Sequence, residues 1–355
     1  MHFYRVLLAT MLAAGFIAPA VIDSAAADSA WPVQNRLQGK VKDGDPEKAD
    51  NVSGMACAPG PLPRLCLVVD DESQGAQVAI LQEGMLIAGD FIPLIDDVYE
   101  KKPLELDAEG VAYADGFFYV IGSHGRARHA DDADKEAKNE AKAAATRKVF
   151  RIALGPDAVD LTTGTLKSAP VITPSAALAA ILGRDPVIAP SFDRPLGKDG
   201  LTIEGVAVRG ADLYAGLRGP VLDDGSAVIA RVPLAAVFDG AEGTATFFHL
   251  GLDKDTQMDP RGIRDLTVFG DGFLLIAGPE QDPPKKHRIA LGDYAIYSWT
   301  EGAAPVKRLD LPPTGKTDKP EALTVLDADA GKARVLVMYD GPKEGQPVPV
   351  TIPLQ

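Results

Sequence analysis

Five stretches of this chain repeat one design, and that repetition constrains the fold more than any other feature. They read SGMACAPGPLPRLCLVVDDE from Ser53, EGVAYADGFFYVIGSHG from Glu109, EGVAVRGADLYAGLRGP from Glu204, DLTVFGDGFLLIAGPEQ from Asp265 and EALTVLDADAGKARVLVMYDG from Glu321. Each opens on a small or acidic residue, runs through a short apolar strand, turns at Gly or Asp, and returns as a second apolar strand. That is the pattern of a β-hairpin, with turns such as Ala114-Asp115-Gly116 and Gly270-Asp271-Gly272. The starts are 56, 95, 61 and 56 residues apart, and further strand candidates follow several hairpins, among them 78–81, 148–154, 227–234 and 294–299. A hairpin plus one or two outer strands at this period is the layout of a propeller blade. The expected fold is an all-β propeller of five blades, with six as the alternative and a β-sandwich as the competing architecture. Gly 35 and Pro 28 suit such a turn-rich chain.

The 95-residue interval holds what the other intervals lack. Residues 126–148 form a charged, Ala-rich run expected to be an exposed helix, and 174–184 read as a second short helix. Both are short helical insertions, the first near 128–148. The charges at 131–142 read as a solvated face. Little chain follows the fifth hairpin, so residues 31–52 are expected to supply its outer strand and close the ring.

The N-terminus reads as an export signal. Arg5 precedes the apolar stretch Val6 to Ala18, too short to span a bilayer comfortably, and Ala25-Ala26-Ala27 precedes Asp28 as a cleavage site would. Residues 1–27 are thus expected to be a signal peptide, with 28–355 a single propeller domain that is periplasmic or secreted. The only cysteines, Cys57 and Cys66, face each other across the first hairpin, and an oxidising compartment would join them. The formal charge of −14 argues against nucleic acid, whose binding needs cationic residues to displace counterions, and against an anionic membrane after signal cleavage. A monomer with a small-molecule ligand or substrate is expected.

Strand order predicts where that ligand sits. The start of each inner strand and the end of its hairpin partner lie at the same end of the channel, because the two are antiparallel neighbours. The openers Ser53, Glu109, Glu204, Asp265 and Glu321 and the closers Asp70, Asp71, His124, Arg218 and Asp340 should therefore ring one mouth. Converging carboxylates repel unless a cation, basic side chains or shared protons relieve them. An all-oxygen set suits Ca²⁺, so Glu109, Glu204, Asp265 and Glu321 form the candidate metal-ligand pool. His124 is a candidate general base or acid, while Arg218 and Arg264 could hold an anionic oxygen. Arg218, Arg261 and Arg264 could equally pair with the acids. No nucleophile elbow, P-loop, dinucleotide fingerprint or H-E-x-x-H motif occurs.

Three spaced motifs carry a family resemblance. They are Leu106-Asp107-Ala108-Glu109-Gly110-Val111 with Gly122-Ser123-His124, Ile203-Glu204-Gly205-Val206 with Gly216-Leu217-Arg218-Gly219-Pro220, and Gly262-Ile263-Arg264-Asp265-Leu266 with Ala277-Gly278-Pro279. Together they resemble the bacterial domain-of-unknown-function family 3616 over most of residues 50–342, which implies a fold and little chemistry. The Glu-Gly openings are more distantly similar to esterase-like phytase and calcium-dependent lactonase propellers. By that resemblance Glu109 and Glu204 would bind metal, although the other blade starts lack obvious Asn ligands. Two functions follow as expectations: a metal-assisted hydrolase of an ester, lactone or phosphoester, and a non-catalytic propeller binding a ligand or protein at the same mouth.

Overall fold

In a computed structural model, described here for residues 29–42, 44–127, 133–282 and 286–355, five small sheets stand around a central channel as a five-blade propeller. The expected signal peptide lies outside the described residues. The inner strands are Val52–Cys57, Ala108–Ala114, Thr202–Arg209, Arg261–Phe269 and Lys319–Ala328. Each neighbours the next, and the fifth packs against the first. Every blade then steps outward through antiparallel strands in sequence order.

The hairpin turns form where small and acidic residues predicted them. Asp115 and Gly116 both take positive φ, 49° and 85°, in a two-residue loop between the paired Ala114 and Phe117. That twist matches the twist of the flanking strands. Cys57 pairs directly with Cys66, their Cα atoms 3.9 Å apart, and the two are joined by a disulfide.

The core is five separate apolar clusters, one between each pair of neighbouring blades. Successive side chains of a strand point to opposite faces, so each blade supplies two clusters. Phe118 and Val120 face the first blade, for example, while Tyr119 and Ile121 face the third. This two-sided burial is why the strands read as nearly continuous apolar runs. It also explains the glycine after each motif glutamate. A Cβ on Gly110 would lie 3.1 Å from the backbone nitrogen of Val206, and one on Gly205 would lie 2.9 Å from Leu266 Cβ.

Ring closure differs from the expectation. The fifth blade keeps only three strands, ending at Val348–Pro353. Val33–Gln34 instead pairs in parallel with the outer strand Met85–Pro93 of the first blade. That edge has exposed backbone groups to satisfy, and Val33 sits opposite Leu86. The ends of the chain meet nearer the channel, where Asn51 bridges to Asp340, Gly341 N–H donates to the Asp50 carbonyl (2.8 Å), and Leu37, Ala49 and Val52 pack with Leu336 and Met338.

The 95-residue interval is an elaborated second blade, not a sixth. It contains helices Glu136–Thr146 and Ala177–Leu182. The first is more than a solvated face: Asn139, Ala143 and Thr146 are buried, and the helix lies across one end of the channel. No helix among the described residues is long and apolar enough to cross a membrane.

Candidate functional site: an acidic channel mouth beneath a helix

Each inner strand carries a β-bulge near its start. The pairing register slips at Ser53, Glu109, Glu204, Arg264 and Glu321, leaving each of these without a direct partner across its hairpin. A bulge re-aims the extra residue's side chain and is common beside functional sites. Five equivalent residues thus mark one level of the channel. The expected alignment of Asp265 with the three glutamates is off by one: the bulge residue of the fourth blade is Arg264. Asp265 turns its carboxylate into the wall, accepting from its own neighbour's Leu266 N–H (2.7 Å) and from Leu323 N–H (2.5 Å) of the next blade. Burial pushes its pKa well up, against those two hydrogen bonds.

Above this level a cavity of about 530 Å³ opens between the blades and helix Glu136–Thr146. Glu109, Glu204, Glu321, Asp71, Arg218 and Asp340 line it, as strand order predicted. Ser53, Asp70 and His124 do not. Ser53 Oγ donates to the Ala108 carbonyl (2.5 Å), knitting two blades together. Asp70 accepts from Asn51 N–H (3.0 Å) and Glu72 N–H (3.2 Å), and burial raises its pKa to about 7. His124 is 0% exposed with φ 58°, its Nδ1 2.8 Å from the Gly122 carbonyl oxygen and its Nε2 buried without a partner. Burial lowers its pKa to about 4, so it is neutral, and it does not line the cavity that its neighbours Ser123 and Gly125 line.

The mouth has two unlike halves. In one, every acid has a base. Glu204, 3% exposed, accepts from Arg218 Nη1 (2.9 Å) and has its other oxygen 2.8 Å from Arg264 Nε. Arg264 reaches on to Glu321, and Lys319 to Asp340. Each nitrogen of Arg218 has a partner, for it also donates to the Glu280 carbonyl (2.7 Å) and Asp282 (2.8 Å). Burial works against its charge, but Glu204 and Asp282 outweigh that and raise its pKa.

The other half is acidic, and none of its three carboxylates makes an ion pair among the described residues. Asp71, Asp107 and Glu109 each bring one carboxylate oxygen within 4.8 Å of the others. Backbone bonds fix them: Asp107 N–H donates to the Asp71 carbonyl (3.1 Å), and Ser123 N–H donates to the Asp107 carbonyl (2.8 Å). Asp107 holds φ 55°, a left-handed conformation that Asp tolerates better than most residues. Its carboxylate takes a hydrogen bond from Ser123 Oγ. Asp71 Oδ1 is buried without a partner, and Glu109, only 8% exposed, has neither a hydrogen bond nor an ion pair among the described residues. Burial, then the charges of Glu204, Asp107 and Asp71, push the Glu109 carboxyl well above its ordinary range against a weaker pull from Arg264. Burial and Asp107 do the same to Asp71. Asp107 is also raised, by burial, with Ser123 opposing.

This donor set fits a hard divalent cation. All the atoms are carboxylate oxygens, and oxygens sharing one calcium lie at most about 5 Å apart, twice the metal–oxygen distance. The candidate ligand set is therefore revised from Glu109, Glu204, Asp265 and Glu321 to Asp71, Asp107 and Glu109. Glu204 and Glu321 already have arginine counter-charges, and Asp265 points into the wall. Sequence reasoning passed over Asp107, although it stands two residues before Glu109 in a quoted motif. It also passed over Lys138 and Lys142, which reach the cavity from the helix.

Fold and mouth together define a five-blade propeller with an acid-lined cavity at one end of its channel. The chain belongs to the family described as protein of unknown function DUF3616, which matches residues 68–349. No curated protein matches it. Similar solved structures include a glycosyl hydrolase from Bacteroides ovatus, 12% identical over 95% of this chain and 93% of that one, with a TM-score of 0.42. Another is an N-acetylgalactosamine deacetylase from F. plautii, 9% identical over 92% and 93%, with a TM-score of 0.44. Similarity at this level concerns general shape and brings no chemistry to this chain. Neither is a phytase or a lactonase, and the more distant resemblance gains no support from them.

Proposed function

We propose that this is an exported, calcium-dependent hydrolase acting on a small ester, lactone or phosphoester in the channel mouth. The observation that carries the reading is the convergence of Asp71, Asp107 and Glu109 with no ion pair to any of the three among the described residues. Such a trio is costly as three bare carboxylates, so it shares protons or holds a cation. Calcium bound there would polarise a scissile oxygen and lower the pKa of water. The chain's own residues do the rest: Ser123 and the backbone bonds hold Asp107 in place, and Arg218 with Arg264 holds Glu204 in ion pairs beside the trio. The cavity is the size of ordinary small-molecule sites. Export is supported by the disulfide, which persists in an oxidising compartment.

A second reading, a propeller that binds its ligand without turnover, is favoured by one observation. His124 is buried and does not line the cavity, and both arginines are committed to ion pairs, so no neutral base of the usual kind is poised there. Two measurements separate these readings. Calorimetric titration with calcium should show one site per chain. A panel of ester, lactone and phosphoester substrates on calcium-replete protein should then show turnover that chelator abolishes. Calcium binding without turnover on any of the panel selects the second reading, and no calcium binding rejects the first.

A further inference from the structure

The helix over the mouth presents a chemistry opposite to that of the floor. Lys138 and Lys142, one helical turn apart on the same face, both line the cavity. Lys138 has no ion pair among the described residues, and Lys142 has only Glu105, at a loose 3.8 Å. The helix is pinned in this pose. Arg126 donates to Glu140 (2.6 Å), Thr146 Oγ1 donates to the Gly125 carbonyl (3.4 Å), and Asn139 and Ala143 are buried. Two like charges therefore face a cavity whose floor includes Glu109, itself more than nine-tenths buried and unpartnered.

We propose that the ligand of this mouth carries a phosphate group, held between the cation of the acid trio and the Lys138–Lys142 face of the helix. The inference rests on the calcium reading above and specifies its ligand class. With the one oxygen that each brings to the cluster, the three carboxylates fill about half of the roughly six to eight positions that calcium takes, and hard oxygens from a ligand can fill the rest. The choice of phosphate over carboxylate follows from the bases present. A planar carboxylate is best read by an arginine fork, but each nitrogen of Arg218 already donates to Glu280, Glu204 or Asp282, and Arg126 pairs with Glu140 and Asp193. Ammonium groups act as point charges, which suits the three oxygens of a phosphate.

The test uses the whole mature chain, with glycerol 3-phosphate as the probe and glycerate as its carboxylate counterpart, below the concentrations at which calcium phosphate precipitates. Calorimetry with calcium present should show the phosphate ester binding at least tenfold more tightly than glycerate, and chelator should abolish its binding. Lys138→Ala combined with Lys142→Ala, both on the helix surface, should weaken the phosphate ester by about tenfold or more while calcium affinity changes less than twofold. Equal binding of the two probes, or a double variant that binds the ester as the wild type does, overturns the phosphate assignment and leaves the calcium site standing. A wild-type chain that binds no calcium overturns both.

Discussion

Glu109 and Glu204 occupy the same bulge in adjacent blades, each followed by glycine, yet their surroundings are opposite. Glu204 is clamped by Arg218 and Arg264, whereas Glu109 makes no ion pair and converges with Asp71 and Asp107 on the open cavity. Position in a repeat fixes where a side chain points, not what it does there. The difference comes from the partner strands and the next blade. The hairpin of the third blade ends in Arg218 and the fourth blade puts Arg264 in its bulge, while the neighbours of Glu109 bring two more acids. One half of the mouth is thus a finished ion-pair network, and the other is a charge imbalance that a ligand can resolve.

The largest expected effect probes the finished half. Glu204→Gln keeps the shape but removes a counter-charge shared by two buried arginines, leaving Arg218 with Asp282 and Arg264 with Glu321, and breaking a buried pair costs up to about 3–5 kcal/mol. Urea unfolding in chelator should show that loss, whereas Glu109→Gln, which removes one of three repelling charges, should cost nothing. Equal losses for the two variants would dissolve the contrast between the halves.

The pH dependence of the apo protein sharpens the same comparison. Asp70 has a folded pKa of about 7 against 3.8 ordinarily, so between those values the native state binds its proton more tightly than the unfolded chain does. Stability should therefore fall as pH rises through that window and level off above about 7, a decline of the order of 2–4 kcal/mol from this group. Asp71, Asp107 and Glu109 are shifted in the same direction and add to the slope. Calcium should remove their share. Asp70→Asn should remove the share that calcium leaves, since Asp70 does not line the cavity. Melts from pH 5 to 8, with and without calcium, read both. A flat apo profile would contradict the buried, uncompensated acids.

Replacing Cys57 and Cys66 together by serine should lower stability by about 2–3 kcal/mol, from the entropy of a short closed loop. Cys57 lines a separate cavity of about 290 Å³, with Ala56, Tyr113 and Val208 from the far ends of the inner strands. The calcium response should therefore be untouched. A lost response would couple the two ends of the channel and contradict a self-contained mouth.

Much of this architecture was legible because strand, turn and disulfide signals are local. The hairpins, the Asp115-Gly116 turn and the Cys57–Cys66 pairing rest on neighbouring residues, and the family resemblance rested on motifs that the chain does contain. What stayed hidden depends on registers and packing between distant segments. A one-residue bulge decides whether Arg264 or Asp265 faces the channel, and charge similarity alone favoured the wrong one. Helix Glu136–Thr146 looked solvated because its docking side is made of Asn139, Ala143 and Thr146, small or polar residues that signal no burial. Closure by Val33–Gln34 on the first blade, and not the fifth, depended on which outer edge was open.

The central claim is that the uncompensated half of the mouth takes a cation, and thermal melts of wild type and Glu109→Gln at neutral pH test it most directly. Calcium at about a hundredfold excess over its Kd should raise the wild-type melting temperature by roughly 4–8 °C relative to chelator. Glu109→Gln should melt in chelator no lower than wild type and lose most of the calcium-induced rise. A wild-type melt indifferent to calcium, or a variant that keeps the full rise, would contradict the account.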